Sequence, residues 1–390
     1  MRLRERRQAL VLADVPSPHQ NVFFDAITDL GEVELEVTFC RRTMPGRAWS
    51  GEGPARTKTL FLPELSIGTL PTNPSLLPHL LARPHHLPFV IGYYLPGLLA
   101  AGLTLGALRR RWVFWMDALQ PLRQDGPRFE RVAARAARQW FLERATTFLS
   151  TGNKGRQALL EAGIPPDRAF EIPFVVDSDW IHSAVTEARS ERDQIRRDVG
   201  APPDAALLLF VGQMIHRKGI DNLIEAAAGL SENLRVRLHV VLIGDGEDKP
   251  RFQELASQRG LQDRFHFLPN LDIQELPRYW AASDALILPS RFDAWGVVVD
   301  EALTAGLPVL GSDACGAVVD RVIPDVNGWR FPAGDVAELR RELSKLLALE
   351  PEGLREMGGA ARASMEPFSP KAMARKFTQV VEATLDFPRR

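Results

Sequence analysis

From residue 206 onward, short apolar runs alternate with stretches in which apolar residues recur every three or four positions. Residues 207–211, 237–243, 264–268, 285–288 and 308–311 read as strands, and 219–229, 250–259, 273–282, 297–305 and 335–348 as helices. The strand runs are short and largely apolar and are spaced by amphipathic helices, which predicts a parallel sheet with helices on each side. The first half repeats the scheme less regularly, with strands expected at 8–13, 35–40, 89–93, 112–115 and 147–150. The fold class that follows is α/β with two Rossmann-like domains. Their boundary is expected in Ile172-Pro173-Phe174-Val175-Val176-Asp177-Ser178-Asp179, followed by a charged helix to Val199 and the turn Gly200-Ala201-Pro202-Pro203. This divides the chain into 1–175 and 176–366, with a last helix, 370–385, beyond Pro367.

Length supports the division, since 390 residues exceed what one compact core usually holds. Charge is nearly balanced overall but not by halves. Residues 1–176 carry 22 Lys and Arg against 16 Asp and Glu, and the remainder 26 against 33. The basic half suits an acidic partner, although drift of surface charge between two domains produces the same imbalance. Nucleic acid is not expected, because the basic residues are not interleaved with aromatics in a repeating pattern. Cys40 and Cys315, the only cysteines, flank apolar segments and suit buried thiols in a reducing compartment. The basic start is followed by a run broken by Asp14, Pro16 and Pro18, so export is not expected and a cytoplasmic location is. Residues 89–108 are free of charge and long enough for a membrane span. Four glycines, Pro96 and Thr104 break them into a buried strand, a turn and a helix ending at Arg109-Arg110-Arg111. Peripheral contact with the inner face of a membrane through Arg2, Arg4, Arg6, Arg7 and that triplet remains an expectation, at roughly 1 kcal/mol per basic residue near an anionic leaflet.

The densest chemistry lies in Pro289-Ser290-Arg291-Phe292-Asp293-Ala294-Trp295-Gly296-Val297-Val298-Val299-Asp300-Glu301-Ala302-Leu303, where Asp293 and Glu301 stand eight residues apart across a strand-to-helix turn. Such a turn aims backbone N–H groups and the positive helix end at one place, which favours an anion. Phe210-Val211-Gly212-Gln213-Met214-Ile215-His216-Arg217-Lys218-Gly219 closes the first strand of the second domain, where open parallel sheets bind ligands. Ile243-Gly244-Asp245-Gly246 closes the next strand without extending to Gly-x-Gly-x-x-Gly, so the dinucleotide fingerprint is missing. On residue type alone, Lys218 also fits a surface lysine, Asp293 a turn aspartate and the glycines a steric requirement.

Taken together these segments resemble family 4 of the retaining glycosyltransferases, which have the GT-B fold. Asp293 and Glu301 are similar to the family's two acids with seven residues between them, with aspartate in the first place. The turn at Gly212 resembles the family's Gly-Arg-x-x-x-x-Lys-Gly, with Lys218 matching and Gln213 replacing arginine. The stretch before Asp177 resembles the family's interdomain linker. The resemblance is close over 206–335 and loose over 1–175. It implies a deep cleft between an acceptor-binding first domain and a donor-binding second one, and a C-terminal segment, 367–390, that crosses back to the first. It implies that Lys218, with Arg217 as a further charge, clasps the diphosphate of a nucleoside-diphosphate sugar. Gly212, Gln213 and Gly244 would line that donor, and Pro269, in Phe267-Leu268-Pro269-Asn270, would lie near its base. Glu301 would bind the ribose hydroxyls, while Asp293, Ala294, Trp295, Gly296 and Val297 would meet the transferred sugar.

In the first domain His19, in Pro16-Ser17-Pro18-His19-Gln20-Asn21, faces the cleft of such a fold and is a candidate for the reaction, although as a residue type it also fits an ordinary loop histidine. The resemblance implies that Asp117 contacts the acceptor or donor sugar, and Arg47-Ala48-Trp49 and Gly92-Tyr93 resemble acceptor-domain motifs of a polysaccharide-assembly branch. The donor it favours is a UDP-sugar, with GDP-mannose second, and the acceptor a glycan or lipid-linked sugar of the cell envelope or an exopolysaccharide. The sugar nucleotide is a co-substrate, and neither cofactor nor metal is expected. Asp177-Ser178-Asp179 mimics the metal-binding Asp-x-Asp of the other glycosyltransferase fold but falls in the connection between domains. Two other functions fit the same fold: a sugar-nucleotide epimerase, and a non-catalytic sugar-nucleotide-binding subunit, the latter suggested by Gln213 and Asp293.

Overall fold

The computed structural model describes residues 7–44, 51–67, 70–93, 95–116 and 128–388. Asp117, Arg47-Ala48-Trp49, and Arg2, Arg4 and Arg6 lie outside them. Tertiary contacts divide the chain into two compact units, residues 1–176 with 368–390, and residues 177–367.

In the first unit, seven of the described strands form a parallel sheet. They are β1 (Arg7–Ala13), β2 (Val33–Phe39), β3 (Lys58–Phe61), β6 (Leu87–Ile91), β7 (Val113–Met116), β8 (Thr147–Ser150) and β9 (Ala169–Glu171), in the order β3-β2-β1-β6-β7-β8-β9, while β4 (Leu65–Ile67) and β5 (Leu70–Thr72) make a separate antiparallel ribbon. Alternate residues of β1 enter opposite cores. Ala9, Val11 and Ala13 join the cluster on one face, and Leu10 and Leu12 the cluster on the other. This is the period-2 geometry of any strand, here buried on both sides. The first cluster is completed by the C-terminal helix Pro370–Asp386, whose Met373, Ala374, Phe377, Val380 and Val381 repeat at helical spacing and are all buried. Phe377 stacks on Phe89 of β6 at 4.7 Å between ring centres. Burying that one ring contributes on the order of 2–3 kcal/mol, so the last helix is part of the first unit's core.

In the second unit, β10 (Ala206–Val211), β11 (Leu238–Ile243), β12 (Phe265–Leu268), β13 (Ala285–Leu288), β14 (Val309–Ser312) and β15 (Gly328–Phe331) run parallel in the order β12-β11-β10-β13-β14-β15. Strand order reverses beside β10, whose neighbours are β11 on one side and β13 on the other, and ligands of open α/β sheets bind at such a point. The segment read as one charged helix to Val199 is instead the helix Ser178–Ala188, a tight turn, and the helix Arg192–Asp198. Asp284 explains the break. It takes Arg192 at 2.5 Å and Arg196 at 2.9 Å, tying the second helix to the start of β13. Asp177 caps the helix Ser178–Ala188 by accepting from the Trp180 amide at 3.0 Å. Its carboxylate thus has a structural task. The uncharged stretch around residue 96 contains the strand β6 and the helix Pro96–Ala107, and no helix among the described residues is long and apolar enough to cross a membrane.

Candidate functional site

Three loops leave the carboxyl ends of β10, β11 and β13 in the second unit. The first two are locked together by glycine. A Cβ on Gly244 would stand 2.0 Å from the Gly212 carbonyl oxygen, and one on Gly246 would stand 2.4 Å from that of Met214. Backbone hydrogen bonds complete the zip, Met214 donating to the Asp245 carbonyl at 2.8 Å and Asp248 to that of Met214 at 3.1 Å. Gly244-Asp245-Gly246 is therefore required by a neighbouring backbone. Lys249 secures the far side, its ammonium lying 3.2 Å from the Gly244 carbonyl and 3.0 Å from that of Leu268. Pro269 follows at the end of β12, exposed.

The β10 and β13 loops are joined by side chains. Lys218 ends a short turn and is followed by Gly219 at φ +68°, where a Cβ would lie 2.1 Å from the Pro289 carbonyl oxygen. From this close approach the Lys218 ammonium reaches Asp293 at 2.5 Å, with both side chains largely buried. Arg217 donates to the Phe292 carbonyl at 2.8 Å, so its guanidinium is engaged in holding the loop. Arg291 forks onto Asp221 at 2.7 and 3.0 Å and reaches the His216 carbonyl at 2.8 Å. Burial opposes ionisation of Asp221, but this bidentate guanidinium overrides it and holds the carboxyl below its ordinary range.

Beyond Asp293 the chain enters the helix Val297–Ala305 through Gly296 at φ +87°, and a Cβ there would stand 2.6 Å from Cys315 Sγ. Trp295 is buried and donates its indole N–H to Asp300 at 2.6 Å. Arg321 adds a contact of 3.3 Å to the same carboxylate and lies 5.1 Å over the indole ring. The Trp295 carbonyl accepts from Cys315 Sγ at 2.7 Å and from the Ala317 amide at 2.8 Å. Together these bonds fix the turn and hence the first-turn amides of the helix. Burial pushes the Asp300 carboxyl up to about 6 against the pull of Arg321 and Trp295. Glu301 comes next. Burial and then the Asp300 charge push its carboxyl up to about 7, and it makes no hydrogen bond or ion pair with any described residue. Once ionised it is an acceptor-only group with two oxygens, presented without a partner among the described residues beside the anion-favouring helix start.

The structure brings Lys218 and Asp293 into direct contact, sets Gly212 against Gly244, and places Ala294, Trp295, Gly296 and Val297 in the turn between Asp293 and Glu301. It gives Gln213 an exposed position without a bond to any described residue. In the first unit, His19 lies in the first turn of the helix Pro18–Leu30, 3.1 Å from Ser17 Oγ and edge-on to Phe174 at 4.4 Å. Sequence reasoning missed the Arg291–Asp221 fork, the Trp295–Asp300–Arg321 cluster, Lys249, and the Asp14–Arg41 pair at the end of β1, with bonds of 2.6 and 2.5 Å. Asp300 carried the one usable signal, a charged residue amid a valine-rich helix start.

Residues 191–364 match the family model described as "Glycosyl transferases group 1". The chain is 32% identical to the D-inositol 3-phosphate glycosyltransferase of Geodermatophilus obscurus over 220 residues, 54% of this chain and 48% of that protein. It is 38% identical to the lipopolysaccharide glucosyltransferase WaaG of Escherichia coli over 165 residues, 41% of this chain and 38% of that one. The alignment to the first of these spans about half the relative's length. Among solved structures, Anabaena Alr3699/HepE in complex with UDP superposes with a TM-score of 0.72 at 17% identity, covering 97% of this chain and 100% of that one. A glycosyltransferase from Rickettsia africae gives 0.73 at 16%, covering 98% and 100%. These likenesses establish the architecture of two Rossmann-like domains in the GT-B class.

Proposed function

We propose that this chain, a member of the glycosyl transferases group 1 family through residues 191–364, transfers a sugar from a nucleoside diphosphate to a hydroxyl acceptor with retention at the anomeric carbon. The observation that carries the proposal is the convergence at one strand-order reversal of the Lys218–Asp293 pair and the unpartnered Glu301. In this reading Glu301 accepts from the two ribose hydroxyls. Lys218 and the first-turn amides of the helix Val297–Ala305 take the charge that grows on the leaving diphosphate, the term that dominates such a reaction. The bond from the anomeric carbon to the diphosphate oxygen breaks, the acceptor oxygen bonds to that carbon on the same face, and the acceptor proton passes to the departing phosphate. Asp293 orients the transferred sugar while holding Lys218. The first unit binds the acceptor, with His19 and Asp117 serving it, and Gln213 lies beside the diphosphate. Metal is not required in this scheme.

UDP is favoured as the nucleotide, supported by the Anabaena neighbour solved with UDP and with UDP-glucose. A glycan or lipid-linked acceptor of envelope assembly is supported by the likeness to the lipopolysaccharide enzyme. Sugar release from UDP-sugars and GDP-mannose, measured with and without acceptor glycans, tests the proposal. Transfer only with acceptor, unaffected by EDTA, is expected. Acceptor-independent isomerisation, or binding without turnover, would replace it with one of the two alternatives, and loss in EDTA restored by manganese would remove the metal-independent scheme.

A further inference from the structure

The first unit has a cavity of about 380 Å³ lined by Arg109, Arg110, Arg111 and Arg144, with Glu143 as its one carboxylate. It sits where the chain enters β7 and β8, at the amino end of the sheet, whereas His19 follows the carboxyl end of β1. The walls are rigid. Arg110 is tied to the carbonyls of Arg83 at 3.0 Å and His86 at 3.1 Å, and Arg111 to that of Phe387 at 3.0 and 2.6 Å. These bonds satisfy donors but cancel no charge. Burial alone lowers the pKa of Arg110, with no carboxylate opposing it.

Arg109 and Arg144 have no ion pair with any described residue, and Arg144 only lies 5.1 Å over the Trp140 ring. Arg109 is also held at φ +51°. It follows the helix Pro96–Ala107 and its cap Leu108. Arg109 donates to the Gly106 carbonyl at 3.2 Å and Arg110 to that of Leu105 at 3.1 Å. This is the helix-ending pattern that favours glycine where Arg109 stands. An arginine kept in a glycine conformation, beside three others around a cavity, has a use for its charge rather than for its backbone.

We propose that this cavity binds a phosphate-bearing group, a phosphomonoester or diphosphate, at a site separate from the sugar-nucleotide site of the second unit. Planar guanidinium forks match phosphate oxygens in pairs, and four of them exceed what Glu143 neutralises. The group could be free in solution or be the headgroup of an anionic lipid; Leu103 and Leu108, exposed near Arg109, suit the second source.

The shared chemistry is tested by melting the full chain in inorganic pyrophosphate against chloride at equal ionic strength. A rise in Tm of about 2–4 °C is expected at pyrophosphate well above its Kd. It should persist in Lys218→Ala and vanish in Arg109→Gly combined with Arg144→Gln. Arg109→Gly relieves the left-handed conformation, so this variant should melt no lower than the parent in chloride on that account, and a melt in chloride confirms that it is folded. Sedimentation with phosphatidylglycerol and with phosphatidylcholine vesicles separates the sources. Binding to the first alone, lost in the double variant, assigns a lipid headgroup, and a pyrophosphate shift without vesicle binding assigns a soluble phosphate. No shift and no vesicle binding, or a shift abolished by Lys218→Ala and kept by the double variant, would overturn the proposal.

Discussion

In the second unit the loops leaving β10 and β13 are joined by Lys218–Asp293, Arg217 to the Phe292 carbonyl, and the Arg291–Asp221 fork. In the first unit the loop leaving β1 is held by Asp14–Arg41 and by the contact of His19 with Ser17. Both sheets reverse strand order beside their first strand, so the topology offers each a ligand edge. The difference lies in construction. The second edge uses glycines to bring backbones together and charge pairs to fix the gap, an arrangement suited to a ligand of constant shape. The first edge has its charge pair turned to holding β1 and β2 loops together, which leaves specificity to loop residues.

The comparison breaks most easily at glycine. Gly219→Ala would drive a methyl to 2.1 Å from the Pro289 carbonyl oxygen, and a loss of about 3–5 kcal/mol in chemical denaturation, or failure to fold, is expected. Gly31→Ala in the first unit, at a similar φ of +70° but with nothing within 4 Å, should cost only about 1 kcal/mol. Equal losses would show that the close approach at Gly219 carries no special weight.

Lys218→Ala removes a charge-assisted contact worth about 1.5–3 kcal/mol, and turnover should fall roughly tenfold to a hundredfold. The corresponding first-unit change, Arg41→Met, should lower Tm while affecting the donor KM little. A donor KM raised more by Arg41→Met than by Lys218→Ala would reverse the assignment of the two edges.

The alternation of strands and helices was legible because buried parallel strands such as Leu207, Leu208 and Leu209 are continuously apolar. β3 was missed because it is an edge strand of polar and half-exposed residues, and β9 and β15 because each is short, with few apolar positions. At the site, spacing and turn chemistry pointed to Lys218, Asp293 and Glu301. The pairs that surround them were invisible, since Arg291 meets Asp221 from 70 residues away and Trp295 in the turn meets Arg321 of the helix Gly316–Arg321. Only the folded chain pairs such charges. The same long-range packing gives Arg217 a bond to the Phe292 carbonyl that its sequence position did not foretell.

Glu301 sharpens the comparison through pH. Its carboxyl is raised from 4.5 to about 7, so the folded state binds its proton more tightly than the unfolded one. Its contribution to stability is complete below about pH 4.5 and is lost as pH rises through 7. Glu301→Gln, which cannot ionise, should therefore be more stable than the parent by ~1–2 kcal/mol at pH 8 and equal to it near pH 4.5. Urea melts at the two pH values check this, and a variant less stable at pH 8 would mean that the carboxylate has a partner in the fold. Gln213→Arg should have the smallest effect, leaving donor KM unchanged or lowered by less than about tenfold. A folded but inactive variant would give the glutamine a specific role.

The division of labour between the two acids is tested most directly by calorimetry with the free nucleoside diphosphate. Glu301→Gln should weaken it by about tenfold or more, through the lost ribose acceptor. Asp293→Asn should bind it as tightly as the parent or more tightly, since Lys218 is released to the phosphates, while transfer is lost. Equal weakening in both variants would contradict the account.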